Sequence, residues 1–269
     1  MKQFILNKEP DSKGGGDAIV RLEGNDYHYL VNVRRLATGE FFPALLPNSK
    51  ETLVQVLSVE NGVLTGKCTA EENLTHRQDN NLPPIILFQS LPKGDKMDLI
   101  VRQAAEGGIA EIVPFVSEFS AVKITAAKGQ KFIRWERIIK EARQQSGSKT
   151  ATVIHQPLTT NELINYWKKL KVNENSLGVL FHHQKGLEQN SLHEYLYSTP
   201  PVVAFAIGPE GGFSEKEVSL FSENGFKQVN IGDTVLRTET AALYCAAAIR
   251  ILLWEKDSWE LKQVKSGRE

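Results

Sequence analysis

Cysteine is nearly absent. Cys68 and Cys245 are the only two among 269 residues, and nothing in their spacing suggests a zinc site or a disulfide framework. They read as two buried free thiols in a reducing cytoplasm. HExxH and Cys clusters are missing as well, so no metal is expected. His182 and His183 are adjacent, but neighbours on a strand point to opposite faces and cannot jointly grip one ion. No apolar run approaches the roughly 20 residues of a membrane span, and the apolar core of the opening stretch, Phe4-Ile5-Leu6, is too short for a signal peptide. An excess of one charge is lacking too: 32 Lys+Arg balance 32 Asp+Glu, a formal net charge of +0. Polynucleotide-binding chains are often basic, so this balance weighs against nucleic acid unless local patches carry the attraction. Neither a P-loop nor a GxGxxG fingerprint occurs. Hydrophobic residues at 41% and charged residues at 24% describe a globular chain, long enough for one large or two ordinary domains.

The stretch from Ala204 to Ala248 organises what is present. An apolar run, Val202 to Ile207, stops at Gly208-Pro209-Glu210-Gly211-Gly212. Ser214 then opens a helix, with Glu217 three residues on as a capping box. That helix should end at Asn224-Gly225. A second short strand, Gln228 to Ile231, runs into Gly232-Asp233, and a second loop, Thr234 to Thr238, leads to a helix starting near Glu239. One such loop alone would suit a tight connection as well as a ligand site. Two in succession, the second carrying Arg237, fit a ligand site at the carboxyl ends of parallel strands. Glu210 argues against a phosphate cradle, because its carboxylate would repel the anion.

Upstream, residues 1 to about 74 read as a small β-rich domain. Phe4–Leu6, Ala18–Leu22, Glu40–Leu46, Thr52–Val59 and Val63–Cys68 are strand-like, and Asn61-Gly62 is a hairpin signal. A helix is predicted over Gly24–Leu36, with Leu30, Val33 and Tyr29 sharing one face. Arg34 and Arg35 at its end suit either a helix C-terminus or a phosphate. His28 reads as a structural residue. Residues 71–84, polar and ending in two prolines, are the candidate linker. Ile85–Ser90, Lys96–Gly107 and Glu111–Val116 then form a βαβ unit, so this domain is α/β with a parallel sheet. Helices follow over Lys128–Gln145, with Phe132, Trp135, Ile138, Ile139 and Ala142 on one face, and over Thr160–Leu170. A buried strand spans Leu177–His183, a short helix Ser191–Tyr197, and a small-residue helix Ala241–Leu253.

Ile207-Gly208-Pro209-Glu210-Gly211-Gly212-Phe213-Ser214, followed by Ile231-Gly232-Asp233-Thr234-Val235-Leu236-Arg237-Thr238-Glu239-Thr240-Ala241, resembles the SPOUT methyltransferases. Within them it looks like the RsmE family, which methylates N3 of a uridine in small-subunit (16S) ribosomal RNA. The resemblance extends to His28–Arg35, to Lys93–Asp98, to Arg134, Trp135, Glu141, Ala142, Gln145 and Ser146, and to Val153–Leu158. Phe119 and Ser148 depart from it, standing where the family typically has arginines that faced RNA.

The resemblance implies a trefoil-knotted α/β domain at 75–269 and a PUA-like RNA-binding β-barrel at 1–74. It also implies S-adenosylmethionine as cofactor, ribosomal RNA as partner, and a homodimer joined through the Ala241–Trp254 helix. The expected cofactor-binding residues are Leu180, His182, Ile207, Gly208, Pro209, Glu210 and Gly212 from the first strand ends and loop, with Ile231, Gly232, Val235, Leu236 and Ala241 from the second. Arg237 is the expected catalytic residue, stabilising charge on the uracil carbonyls. Glu239 and Thr240 are candidates to assist proton movement, although Thr238 and Glu239 also suit a helix cap. Lys2, Arg34, Arg35, Lys93 and Lys123 are the expected RNA contacts. A methyltransferase for another nucleotide, or an RNA-binding relative that transfers no methyl group, stays open at this point.

Overall fold

The computed structural model describes residues 4–11, 18–47, 50–69, 82–122, 129–183 and 189–263, the last seven by backbone alone. Lys2, Lys123 and most of the expected linker lie outside them. The chain divides into two compact units, residues 1–78 with 143–151, and residues 79–142 with 152–269.

The first unit contains β1 (Phe4–Ile5), β2 (Ala18–Leu22), α1 (Gly24–Tyr27), β3 (Phe41–Leu45), β4 (Glu51–Glu60) and β5 (Val63–Thr69). All five expected strands are there, in the order β1-β3-β4-β5-β2. Asn61 and Gly62 take φ of 51° and 76°, the left-handed pair that a tight hairpin needs. Alternation on β4 buries Thr52, Val54 and Val56 over a core of Phe4, Leu22, Leu30, Phe42 and Leu64.

Two expectations for this unit change. Among the described residues the strands form an open sheet, not a closed barrel. The outer edge of β2 is taken by Asp11, whose N–H and carbonyl pair with Ile19, so β1 and β2 do not meet. The helix over 24–36 is also different: after α1 the chain widens into a π-helix over His28–Val33. The Arg34 N–H bonds back five residues to the Tyr29 carbonyl at 2.9 Å, which rotates the following side chains off a 3.6-residue register. Leu30 is therefore fully buried while Val33 is 59% exposed.

The second unit is a three-layer α/β structure. Its strands are β6 (Ile85–Ser90), β7 (Glu111–Val116), β8 (Val153–Ile154), β9 (Leu158–Thr159), β10 (Leu177–Phe181), β11 (Val203–Ile207) and β12 (Phe226–Val229). Its helices are α2 (Lys96–Glu106), α3 (Gln130–Ser146), α4 (Thr160–Leu170), α5 (Leu192–Leu196), α6 (Glu215–Glu223) and α7 (Thr238–Gln263). The order β12-β10-β11-β6-β7-β8, with β9 also on β7, is parallel throughout. Such a sheet must be covered on both faces, and the side chains divide accordingly. Ile85, Leu87, Val203, Phe205 and Ile207 pack in one core with α2, α3 and α7. Ile86, Phe88, Ala204 and Ala206 pack in the other with α4 and α6. Trp135, Ile138, Ile139 and Ala142 of α3 are buried on one face, as their spacing predicts. None of the helices in the described residues is long and apolar enough to cross a membrane.

Capping boxes start α4, α5 and α6, at Thr159/Glu162, Ser191/Glu194 and Ser214/Glu217. Glu217 does more than cap. It is 6% exposed, and besides the Ser214 N–H it accepts the Glu118 N–H at 2.9 Å and the Thr160 hydroxyl at 3.2 Å. One carboxylate thus ties the starts of α4 and α6 to the loop after β7. Replacing it leaves several buried donors without an acceptor. Glu217→Ala should destabilise the fold by about 3 kcal/mol and Glu217→Gln by roughly half that, read as shifts in the urea midpoint.

Candidate functional site

Phe181, Ile207 and Val229 end three neighbouring strands, β10, β11 and β12, and all of them line one cavity of about 610 Å³. Ligands of open parallel sheets sit at these carboxyl ends, and the volume is within the roughly 300–1,000 Å³ typical of small-molecule sites. The first wall is the loop Gly208–Phe213. A Cβ on Gly208 would lie 3.2 Å from the Gly212 carbonyl carbon, a tight contact that glycine avoids where the loop folds back on itself. The Gly212 N–H closes the turn on the Pro209 carbonyl at 2.9 Å, with φ of +71° at Gly212.

The second wall is the segment from Asn230 to Thr238. β12 ends at Val229, two residues before the expected Ile231, because the Gln189 side chain takes the next peptide. Gln189 accepts the Asn230 N–H at 2.5 Å and donates to the Asn230 carbonyl at 3.0 Å, replacing ladder bonds. Thr238 is 5% exposed and joins the two walls. Its hydroxyl donates to the Gly208 carbonyl at 2.7 Å and accepts from Gln89 Nε2 at 3.1 Å. Thr238 and Glu239 lie in the first turn of α7 as expected, but the Thr238 hydroxyl does not cap it: the turn closes from the Ala241 N–H to the Arg237 carbonyl at 2.8 Å, and the hydroxyl is engaged elsewhere.

Lys96, at the start of α2, reaches across both loops. Its ammonium is 2.7 Å from Glu210 and 3.6 Å from Glu239. The Lys93 N–H also donates to Glu210, at 3.2 Å. Partial burial pushes the Glu210 carboxyl up, but these donors outweigh it and hold the group below its ordinary value. Hydrogen bonding to Glu210 raises Lys96 above its own. Glu210 is therefore a structural anion, already countered, and not an open charge awaiting a cation. Burial, reinforced by His183, lowers the pKa of His182, which keeps that imidazole neutral at pH 7. Burial pushes the Cys245 thiol, also in the lining, well above its usual range.

His182, Ile207, Gly208, Pro209, Glu210 and Gly212 line this cavity, as do Ile231, Val235, Leu236, Arg237 and Ala241. Gly232, Glu239 and Thr240 are not among its lining residues, and neither is Leu180. Leu180 is fully buried in the core on the far face of the sheet. Strand alternation puts Phe181, one residue on, into the cavity instead. Lys93 is exposed, Arg34 half-buried and Arg35 exposed with φ of +59°. The sequence reading missed the roles of Lys96, Phe181 and Thr238. The alternation of β10 could have located Phe181, given the strand's true end. Nothing local announces Lys96, whose partners are more than a hundred residues away.

Thr238→Val keeps the shape but takes the donor from the Gly208 carbonyl and leaves Gln89 Nε2 with the Ser90 carbonyl alone. It should cost about 1–3 kcal/mol. Hydrogen exchange should quicken at the Gly212 and Phe213 amides with little change in β6.

Residues 78–250 match the RNA methyltransferase domain family. The chain is 30% identical over 256 residues to ribosomal RNA small subunit methyltransferase E 2 of Borreliella burgdorferi, covering 94% of this chain and 98% of that one. It is 32% identical over 231 residues to ribosomal RNA small subunit methyltransferase E of Aquifex aeolicus, covering 85% and 92%. A crystal structure of ribosomal RNA small subunit methyltransferase E from Neisseria gonorrhoeae, bound to S-adenosyl methionine, superposes with a TM-score of 0.75 at 26% identity, over 94% of this chain and 98% of that one.

Proposed function

The chain belongs to the ribosomal RNA small subunit methyltransferase E family, and we propose that it transfers a methyl group from S-adenosylmethionine to N3 of a uridine in small-subunit ribosomal RNA. The observation that carries this is the cavity at the ends of β10, β11 and β12, walled by both glycine loops, with Arg237 in its lining. The residues fit the cofactor. Phe181, Ile207, Ile231 and Leu236 offer apolar surface for an adenine, and the loop peptides of Gly208–Gly212 and Ile231–Leu236 offer donors and acceptors. When bound, S-adenosylmethionine supplies an electrophilic methyl group on a sulfonium sulfur.

The chain's own part is placement and charge. Arg237 is exposed, with no ion-pair partner among the described residues, so its guanidinium is free to hold negative charge on a uracil carbonyl as the N3 proton leaves. Glu239 is held towards Lys96 and serves to brace the loops. Thr240, exposed on the first turn of α7 and outside the cavity lining, can assist only by relaying the proton to solvent water. Most of the rate comes from aligning nucleophile and methyl group. The second unit, on this reading, is a SPOUT domain whose chain threads a trefoil knot. The first is a PUA-like unit built on an open five-stranded sheet, whose Lys2, Arg34 and Arg35, with Lys93 and Lys123 of the second unit, contact RNA phosphates in the cytoplasm.

Tritium transfer from S-adenosylmethionine to intact small subunits, followed by nucleoside mass spectrometry, tests the reading. Label on a different nucleoside would redirect it, and no label at all would end it. Arg237→Ala should cost about 3 kcal/mol of transition-state stabilisation with S-adenosylhomocysteine affinity nearly intact. A single-turnover rate that stays unchanged while the melting temperature falls would refute the catalytic role.

The proposal includes a homodimer. Leu243, Tyr244, Ile251 and Trp254 on α7 are each 42–53% exposed and adjoin an apolar groove between α2 and α7 lined by Ile100, Ala104, Ala246 and Ala247. A contiguous apolar face of this kind marks an interface. Light scattering at micromolar concentration should give twice the 30.0 kDa chain mass, and Ile251→Glu should return the monomer.

A further inference from the structure

The turn after β7 holds a half-exposed aromatic ring in a fixed position. Ser117–Ser120 closes through the Ser120 N–H on the Ser117 carbonyl at 3.1 Å. Its base is buried polar structure: the Ser90 hydroxyl is 2.7 Å from that of Ser117 and 2.8 Å from that of Ser120, and the Ser117 N–H donates to Ser120 Oγ at 3.1 Å. Its shoulder is pinned by the Glu118 N–H on Glu217. Phe119, at the tip, is nevertheless 50% exposed. A lone exposed apolar residue is ordinary. One on a turn fastened at three points, beside a ligand cavity, is not explained by looseness.

Its neighbour decides what it stands next to. A Cβ on Gly211 would lie 3.0 Å from Phe119 Cβ and 3.6 Å from Cγ, so the root of the side chain rests on the glycine's backbone. Gly211 lines the cavity. The ring therefore rises at the rim, flat-faced and uncharged.

We infer that Phe119 is a stacking platform for an unpaired nucleobase of the RNA, at or beside the nucleotide presented to the cavity. The inference rests on the RNA-methylating reading above. Single-stranded bases are taken up on aromatic faces. The position is one where the resemblance expects arginine, whose planar guanidinium also stacks but adds a charge. Phenylalanine keeps the flat face and gives up the phosphate attraction, in keeping with a chain of formal net charge +0.

The test uses the full chain and intact small ribosomal subunits. Phe119→Leu keeps apolar packing on Gly211 without the π face. It should raise KM for subunits about 5- to 150-fold, the span of one base–aromatic stack, with kcat and S-adenosylhomocysteine affinity unchanged. Phe119→Trp should stay close to wild type. Phe119→Arg should bind subunits with a steeper salt dependence. A Leu variant with wild-type KM would overturn the inference alone, and so would one that loses kcat and cofactor affinity together, since that places Phe119 in loop packing. A wild-type chain that methylates no RNA would overturn the parent reading and this one with it.

Discussion

The Thr238 hydroxyl sits buried between the Gly208 carbonyl and the Gln89 amide, and the geometry of the site depends on that position. Gly208 directly follows β11, Gln89 lies near the end of β6, and Thr238 begins α7. Three elements far apart in sequence share one polar contact out of water, where an unmade bond would be costly. The first glycine loop, the second loop and the axis of α7 are set together. Neither loop holds its shape by its own residues alone, since Gly208 merely permits the turn that Thr238 then locks.

The same economy governs charge. Lys96 stands between Glu210 and Glu239, so the acidic residue inside the glycine loop contributes a tether and not a field. The Arg237 side chain lines the cavity without an ion-pair partner among the described residues, and on the proposed reading it is the cation offered to a reacting nucleoside. Balance over the whole chain is compatible with a polynucleotide partner because recognition at the rim draws on shape and stacking as well as on charge.

The scaffold beneath these contacts is over-determined. The central strands β6, β10 and β11 send alternate side chains into two cores, and Glu217 fastens the helices of one face to the loop that carries Phe119. A rigid base of this kind lets exposed groups hold position without packing around them.

Much of this was legible in the residues. Local rules located the five strands of the first unit, the capping box of α6, the buried face of α3 and both glycine loops, because capping, alternation and helical spacing act over a few residues. The RsmE resemblance pointed to the cavity wall for the same reason, its motif being contiguous. What the tertiary structure alone decided involves long separations or competition between bonds. Gln189 cuts β12 short by taking the Asn230 peptide. A π-helix replaces the expected regular turns after His28 and turns Val33 outward. Leu180 goes to the far core while Phe181 enters the cavity, a difference of one residue that hangs on where β10 stops. Lys96 finds Glu210, and Phe119 finds Gly211, across about a hundred residues of chain. No periodicity carries that information, because such contacts arise only when the parallel sheet brings the ends of its strands together.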